Sequence, residues 1–425
     1  MNLLKKKLSM IIFICMIHSM KITYKKRHTL LQQKILFIIG TLERGGTERH
    51  LSYILPLLKK NNWDVSIITL TNKNSLLPIF VNAQIPVLQP NISFLKFKSK
   101  LPKLIGKIVF IIYTILRLSN IFKKDKNAIL HFFLPESYIL GLTAAVLIQH
   151  KSVTVMSRRS MNDYFSKKPL FKWIESKLHK KIFFVLGNSK KVVDQLVFEE
   201  KIPSFKAGLI YNGIEDRREL RNPNTDNNII IITIIANLIY YKGHEDLLKA
   251  LSNIKNKICK NWILNIVGAD PQNRAEVLKK YSIDLKIDKH ITWHGEIDNI
   301  ENIWNTTDIG VLCSHQEGFS NSIIEAMRSK IPMVVTDVGG NAEAIIHNEC
   351  GLVVEAQNPV ALGNAILKLA NNSILRNQFG ENARTRYLEN FSIENCVQKY
   401  ENVYKSLAVK SYPERENSLE IKRIY

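Results

Sequence analysis

The stretch EGFSNSIIEAM, Glu317–Met327, follows the apolar run IGVL, Ile309–Leu312. An apolar run of strand length that passes through Gly, Ser and Asn into a helical pattern is a strand–turn–helix junction of an α/β domain. Such a junction aims backbone N–H groups and the positive end of a helix dipole at one point, where an anion is stabilised. Glu317 and Glu325 bracket the helix start eight positions apart, which places two carboxylates where they can grip hydroxyls beside that anion. A phosphate next to a polyol is the ligand chemistry this combination suits.

Working outward through the same half, strand and helix patterns alternate: strands at Ile229–Ile235, Trp262–Val267, Ile291–Trp293, Ile309–Leu312, Met333–Val335 and Leu352–Val354, with helices at His244–Ser252, Arg274–Tyr281, Asn299–Trp304 and Ile323–Arg328. Helices dominate from Pro359 to Ala408. The segment ANLIYYKGHEDLLKA, Ala236–Ala250, follows the first of these strands and puts Lys242-Gly243 where its helix begins, the place for an ammonium that binds a diphosphate.

The polar segment RNPNTDNN reads as an interdomain linker. Before it the alternation has already run once: KILFIIG at Lys34–Gly40, then Val65–Leu70, Ile129–Phe133, Val153–Met156, Ile182–Leu186 and Gly208–Ile210 read as strands. The predicted organisation is a leader at 1–34, a first domain at 35–220, a linker at 221–228, a second domain at 229–390 and a C-terminal helix and tail at 391–425. Two α/β halves joined this way form a cleft, where small ligands bind.

Candidate residues in the first half are weaker singly. Gly45-Gly46 after the first strand is a phosphate-loop lookalike without GxGxxG spacing or a P-loop Lys-Ser/Thr, and a helix follows from near Thr47. A tight turn is the other reading. His131 lies within ILHFFL, either as a core histidine or as a ligand group near the carboxyl end of a strand. Arg158 and Arg159 follow a strand, where they hold an acceptor anion or form a solvated turn. Ser189 is placed as a helix N-cap. Leu101–Leu118 is apolar nearly all round apart from Lys103, Lys107 and Arg117, and reads as a buried helix, with a membrane-docking helix as the alternative.

The formal charge of +23 is spread in lysine clusters, mostly over the first half, with no RNA-recognition, zinc-finger or basic-zipper signature. This favours an anionic membrane surface or phosphorylated acceptor and argues against nucleic acid. The five cysteines are odd in number and lack CxxC spacing, so they read as free thiols of a reducing compartment, with no metal site. Lys5–Lys7 and Leu8–Ile17 resemble the start of a signal peptide without a cleavage site; the apolar run is too short to span a bilayer. The expectation is a dispensable or membrane-brushing leader.

Taken together these motifs resemble glycosyltransferase family 4, retaining enzymes of the GT-B architecture. EGFSNSIIE resembles the family's E-x7-E motif, and AMRSKIPMVVTDVGGNAE continues in its manner. NLIYYKG resembles its GRL-x3-KG segment, with Asn237 at the place of the usual Arg. Gly45-Gly46-Thr47-Glu48 resembles its N-terminal glycine loop, His131 stands for its first-domain histidine, and GEIDNI at Gly295–Ile300 with Asp308 also fits. The resemblance spans about Ile35–Leu388 and implies two Rossmann-like parallel-sheet domains facing a cleft, with C-terminal helices crossing back to the first.

The function implied is hexosyltransferase-type: a sugar moves with retention from a nucleotide-diphosphate sugar to a glycan or lipid-linked acceptor in cell-surface polysaccharide synthesis. Glu325 would bind the ribose and Glu317 the donor sugar. Gly318, Phe319 and Ser320 would offer N–H groups to sugar and diphosphate, with Asn321 also on the donor side. Lys242 would balance the leaving diphosphate, Gly46 would let its loop approach the donor, and His131 would contact the sugar. Arg158 and Arg159 are acceptor-side candidates. No metal or cofactor is called for, since Lys242 and a helix end take the charge and no DxD-like pair is present. The expected location is cytoplasmic, peripheral at the inner face of the cell membrane. The alternatives are an inverting transferase, with His131 or Asp163 as base, an epimerase of the same fold, or a non-catalytic partner subunit.

Overall fold

The computed structural model describes residues 34–43, 45–91, 93–94, 102–161, 169–216, 228–297 and 299–410. The leader up to residue 33, Asp163, residues 221–227 of the linker and Asp298 lie outside them.

Seven strands form the first sheet: β1 (Lys34–Ile39), β2 (Asp64–Thr69), β3 (Val87–Leu88), β4 (Ile129–Phe133), β5 (Thr154–Arg158), β6 (Phe184–Gly187) and β7 (Ala207–Leu209), in the order β3-β2-β1-β4-β5-β6-β7. Six form the second: β8 (Ile229–Ile235), β9 (Asn261–Val267), β10 (Ile291–Gly295), β11 (Ile309–Leu312), β12 (Met333–Thr336) and β13 (Gly351–Val354), in the order β10-β9-β8-β11-β12-β13. The assigned pairings are parallel; Ile229 opposite Asn261 through Ile235 opposite Val267 sets the longest register. A parallel strand covered on both faces is apolar throughout, which is why KILFII and IIIITII carry no alternation. Each fully buried isoleucine there contributes roughly 1.5–3 kcal/mol.

In each sheet the winding direction reverses beside the first strand, between β1 and β4 and between β8 and β11. Ligands of open α/β sheets bind beyond the carboxyl ends of the strands at such a switch point. Lys242 comes off β8 and Glu317 off β11. The topology itself therefore selects these two turns of the second sheet.

By contacts the described chain divides into two units. One holds the residues up to Met156, Lys177–Phe184 and those from Tyr400 on; the other holds Ser157–Ser176 and Val185–Lys399. The helices Pro359–Ala370, Ser373–Asn390 and Ile393–Lys410 end the described chain, and the last of them delivers Tyr400, Glu401 and Tyr404 to the core of the first unit. There Trp63 Nε1 donates to Glu401 Oε1 at 3.2 Å and His50 Nε2 meets the Tyr400 hydroxyl at 3.2 Å.

Most strands fall within a residue or two of their expected ends, and the first helix begins at Gly46. Ser189 is an N-cap: its Oγ accepts from Val192 N at 3.1 Å. One expectation is overturned. The Leu101–Leu118 stretch forms a helix, Lys103–Lys124, but it is not a buried one. Only the line Gly106, Phe110, Thr114, Leu118, Ser119 and Phe122 is covered, while Leu104, Ile105, Ile108, Ile112 and Leu116 are exposed. A stretch apolar all round does not reveal how many of its faces the fold will cover.

Candidate functional site

In the second unit β8 runs into a 3-10 turn, Tyr240–Lys242, and then into the helix His244–Ile254. Gly243 makes this change of direction with φ of +71°, a conformation glycine adopts without the Cβ penalty. An added Cβ would also collide with the Cys313 carbonyl, so the turn sits directly against the loop that leaves β11. Two bonds fix the pair of loops: His315 N donates to Tyr241 O at 2.6 Å, and His315 Nε2 lies 2.8 Å from Asp246 Oδ2.

This juxtaposition brings Lys242 Nζ to 2.5 Å from Glu317 Oε1, with both side chains largely buried. Ser314 Oγ donates to the same Glu317 oxygen at 2.8 Å. Burial by itself lowers the pKa of Lys242, but the Glu317 carboxylate outweighs it and holds the ammonium above its usual range. Lys242 is therefore a fixed cation. His244, next in the chain, is pushed down to about 4 by burial and then by Lys242, and stays neutral. The Cys313 thiol is pushed up to about 12, chiefly by burial, and is inert.

After Glu317 the chain reaches the helix Asn321–Arg328 through Gly318, Phe319 and Ser320. Ser320 is the extended N-cap residue, yet its Oγ meets Ser322 Oγ at 2.9 Å and caps no backbone N–H. The first-turn N–H groups are left for another acceptor. Glu325 lies one turn further in, buried, with Trp304 Nε1 at 3.5 Å from its Oε2.

Gly318 has a structural reason of its own, since a Cβ there would collide with the Arg159 carbonyl and with Ser160. Its carbonyl accepts Gly340 N at 2.8 Å, and Gly339 approaches the Glu317 carbonyl with φ of +52°. Phe319 is buried against Tyr211 and Phe391, with ring centroids at 5.2 and 5.4 Å. Its side chain is a packing element, so any ligand role is left to its backbone.

Arg159 enters the same region through a relay: its Nη2 donates to Asn212 Oδ1, and Asn212 Nδ2 donates to Asn321 Oδ1, each at 2.6 Å. Arg158 does not join it. Its guanidinium is buried and bonded to Glu175 at 2.6 Å and Glu200 at 3.1 Å, which makes it a structural cation in place of the acceptor-side clamp expected from sequence. The two arginines part at the end of β5, where Arg158 is the last strand residue and Arg159 already belongs to the loop that follows.

His131 also differs from the expectation. It occupies the middle of β4, fully buried, with Nδ1 2.7 Å from the Tyr404 hydroxyl and its ring against Phe37 and Phe133. It is a core histidine of the first unit, and the end of β4 is occupied by Phe133. Gly46 opens the helix Gly46–Lys60, and a Cβ there would meet nothing within 4 Å. Asn237 uses Oδ1 to accept Ala269 N at 3.2 Å, and Asp308 Oδ2 accepts Ile231 N at 2.9 Å; both tie loops to the second sheet.

Asn212, His315 and Asp246 were not legible as site residues. Asp246 stands in the first turn of a helix and His315 two positions before Glu317, but nothing local signals that they meet.

Two parallel sheets, each with its switch point, and a lysine–glutamate pair at a helix start define a GT-B transferase of the Rossmann-like class. The model of "Glycosyltransferase Family 4" matches residues 44–218 and that of "Glycosyl transferases group 1" matches residues 215–386. The chain belongs to glycosyltransferase family 4 and is a glycosyltransferase. Among its relatives, the capsular polysaccharide biosynthesis glycosyltransferase CapM of Staphylococcus aureus is 23% identical over 70% of this chain and 82% of its own length. A Campylobacter jejuni α-1,4-N-acetyl-D-galactosaminyltransferase acting on a diphosphoundecaprenol-linked glycan is 24% identical over 86% of this chain and 97% of its own. Among solved structures, Anabaena HepE in complex with UDP superposes with a TM-score of 0.74 at 16% identity, covering 88% of this chain and all (100%) of that one.

Proposed function

We propose that this glycosyltransferase transfers a sugar, with retention, from a nucleotide-diphosphate sugar to a glycan or lipid-linked acceptor in cell-surface polysaccharide synthesis. The observation that carries the reading is the Lys242–Glu317 pair beside the uncapped start of the Asn321–Arg328 helix. Breaking a glycosyl–phosphate bond builds negative charge on the diphosphate. The Lys242 ammonium and the first-turn N–H groups are placed to receive it without reorganisation. Glu317 turns to the donor sugar and Glu325 to the ribose hydroxyls. Gly318, Phe319 and Ser320 contribute backbone groups, and Asn321 is positioned by Asn212. Gly46, at the start of its helix in the first unit, keeps the donor-side role that the family resemblance implies, while His131 is given no sugar contact.

The acceptor hydroxyl attacks the sugar carbon from the face the diphosphate leaves; the C–O bond to the diphosphate breaks, the new C–O bond forms, and the acceptor proton passes to a phosphate oxygen. Both carboxylates are taken as ligand groups: Glu325 sits inside a helix and Glu317 is bound to Lys242, an arrangement unlike two acids flanking a glycosidic bond. Relatives whose names specify capsular polysaccharide or undecaprenol-diphosphate glycans support this acceptor class, and a lipid-linked acceptor accords with a place at the membrane.

The test is a panel of UDP-, GDP- and ADP-sugars assayed for donor hydrolysis, followed by NMR of the product anomer. One donor should be turned over, with Lys242→Ala and Glu325→Ala strongly impaired and the anomeric configuration kept. Wild-type rates in both variants, or an inverted anomer, would overturn the site or the mechanism respectively.

A further inference from the structure

The turn that carries Lys242 also carries two aromatic rings with no part in holding the donor. In the segment ANLIYYKG, beyond the carboxyl end of β8, Tyr240 is 61% exposed and Tyr241 38%. A single exposed tyrosine on a surface is ordinary. These two are neighbours, they adjoin the ammonium that pairs with Glu317, and they are held in place.

The backbone of the turn is fixed at both residues. Tyr240 N donates to Gln272 Oε1 at 3.1 Å, and the Tyr241 carbonyl accepts His315 N at 2.6 Å. The rings are fixed as well. The Arg274 guanidinium, itself paired with Glu245, lies over the Tyr240 ring at 5.2 Å, and the His315 ring meets Tyr240 at a near-right angle with centroids 5.8 Å apart. The Lys242 ammonium stands 5.3 Å from the centre of the Tyr241 ring. Cations over tyrosine faces are drawn to the ring quadrupole, so both rings are oriented before a ligand arrives.

A pre-oriented aromatic pair open to water binds a ligand at little cost in side-chain freedom, provided the ligand offers an apolar face of ring size. The reaction says which ligand. When the acceptor attacks from the face the diphosphate leaves, its hydroxyl comes beside the departing phosphate oxygen, and Lys242 receives that oxygen. The acceptor therefore lies against the surface next to Lys242. The donor contacts run through Lys242, Glu317, Glu325 and the turn at Gly318–Asn321, and none of them uses these rings. A pyranose has an apolar face of C–H bonds bordered by hydroxyls, which matches tyrosine rings bordered by the polar groups of Gln272 and Arg274. A linear polyol or a bare phosphate has no such face.

We infer that Tyr240 and Tyr241 form an acceptor subsite, a platform on which the terminal pyranose of the acceptor glycan stacks. The inference rests on the retaining reading for the place of the acceptor. It narrows the acceptor to one that presents a sugar ring to Lys242.

The experiment is saturation-transfer NMR of the full-length chain with methyl glycosides of glucose, galactose, N-acetylglucosamine and N-acetylgalactosamine, and with ribitol and glycerol 3-phosphate as ligands lacking a ring. Each is measured with whichever of UDP, GDP and ADP the wild type binds. At least one glycoside should receive saturation at its ring C–H protons. Tyr240→Ala/Tyr241→Ala should weaken its binding by roughly tenfold or more, and Tyr240→Phe/Tyr241→Phe should restore it. Melting temperature and calorimetric affinity for the nucleotide, read on the same samples, should stay close to wild type, because the bonds that fix the turn use backbone atoms of the two tyrosines. Should the alanine pair fail to fold, the single change Tyr240→Ala carries the same expectation with a smaller loss. A wild type that binds no glycoside, one that prefers ribitol or glycerol 3-phosphate, or an alanine variant with wild-type glycoside binding overturns the inference. Lost nucleotide affinity with glycoside binding intact would give the rings to the nucleoside. Glycoside binding is read without turnover, so an inverted product anomer strikes the retaining mechanism and a lost glycoside contact strikes the platform.

Discussion

Lys242 Nζ stands 2.5 Å from Glu317 Oε1, although the two residues are 75 positions apart and leave different strands. The pair is the pivot of the site because the Glu317 side chain holds the Lys242 ammonium in a place where burial otherwise penalises its charge. Lys242→Met is expected to lower the turnover of donor hydrolysis by roughly 10²–10³-fold, the loss of one donor aimed at the leaving group. Glu317→Gln in the same background should destabilise by less than the sum of the single changes, since the uncompensated charge is then gone. Steady-state kinetics and urea unfolding of the four proteins check both points, and additive stabilities would sink the coupling.

His131 gives the opposite expectation. Its Nδ1 is bonded to the Tyr404 hydroxyl within the first unit's core. His131→Phe leaves that hydroxyl without this partner and should destabilise by about 1–3 kcal/mol, while KM for the donor stays near the wild-type value. A KM change at unaltered stability would return His131 to the site.

Gly243 and Gly295 share a left-handed backbone, with φ of +71° and +67°, but differ in their surroundings. An alanine Cβ at 243 meets the Cys313 carbonyl, whereas at 295 nothing lies within 4 Å. Gly295→Ala should cost only the strain of the conformation, about 1–2 kcal/mol. Gly243→Ala should cost more and also depress turnover, because the turn that carries Lys242 must move. Equal melting temperatures in the two variants would contradict this.

The pH dependence of stability isolates His244. Its folded pKa is about 4, held down by burial and by Lys242, and its unfolded value is near 6.5. A depressed folded pKa means that its contribution to stability is complete above pH 6.5 and is lost as pH falls from there towards 4. The full loss is roughly 3 kcal/mol. The stability lost between pH 7.5 and 4.5 should therefore be smaller in His244→Asn than in the wild type, measured by urea unfolding at both values. An identical pH dependence would place the imidazole in water.

Much of the architecture was legible because parallel strands advertise themselves. KILFII and IIIITII are apolar apart from Lys34 and Thr233, and the structure places them beside the two switch points. The turn at Lys242-Gly243 and the helix start after Ser320 were likewise local signals, set by a glycine that bends the chain and a Gly/Ser/Asn run that passes into a helical pattern. The arginine pair was not. Arg158 closes its strand and Arg159 opens the loop after it, but nothing in the sequence says that Glu175 and Glu200 wait beside the first and Asn212 beside the second.

The sequence by itself determined the order of strands and helices, the two turns that hold Lys242 and Glu317, and the helix that begins after Ser320, because each depends on periodicity and backbone preference within a dozen residues. Only the tertiary structure decided that Lys242 and Glu317 touch, that His131 is enclosed by Phe37, Phe133 and Tyr404, and that the apolar Lys103–Lys124 helix is covered along one line alone. Side-chain identity fixes what a residue can do, but burial and pairing depend on distant segments brought beside it, and no local pattern encodes those.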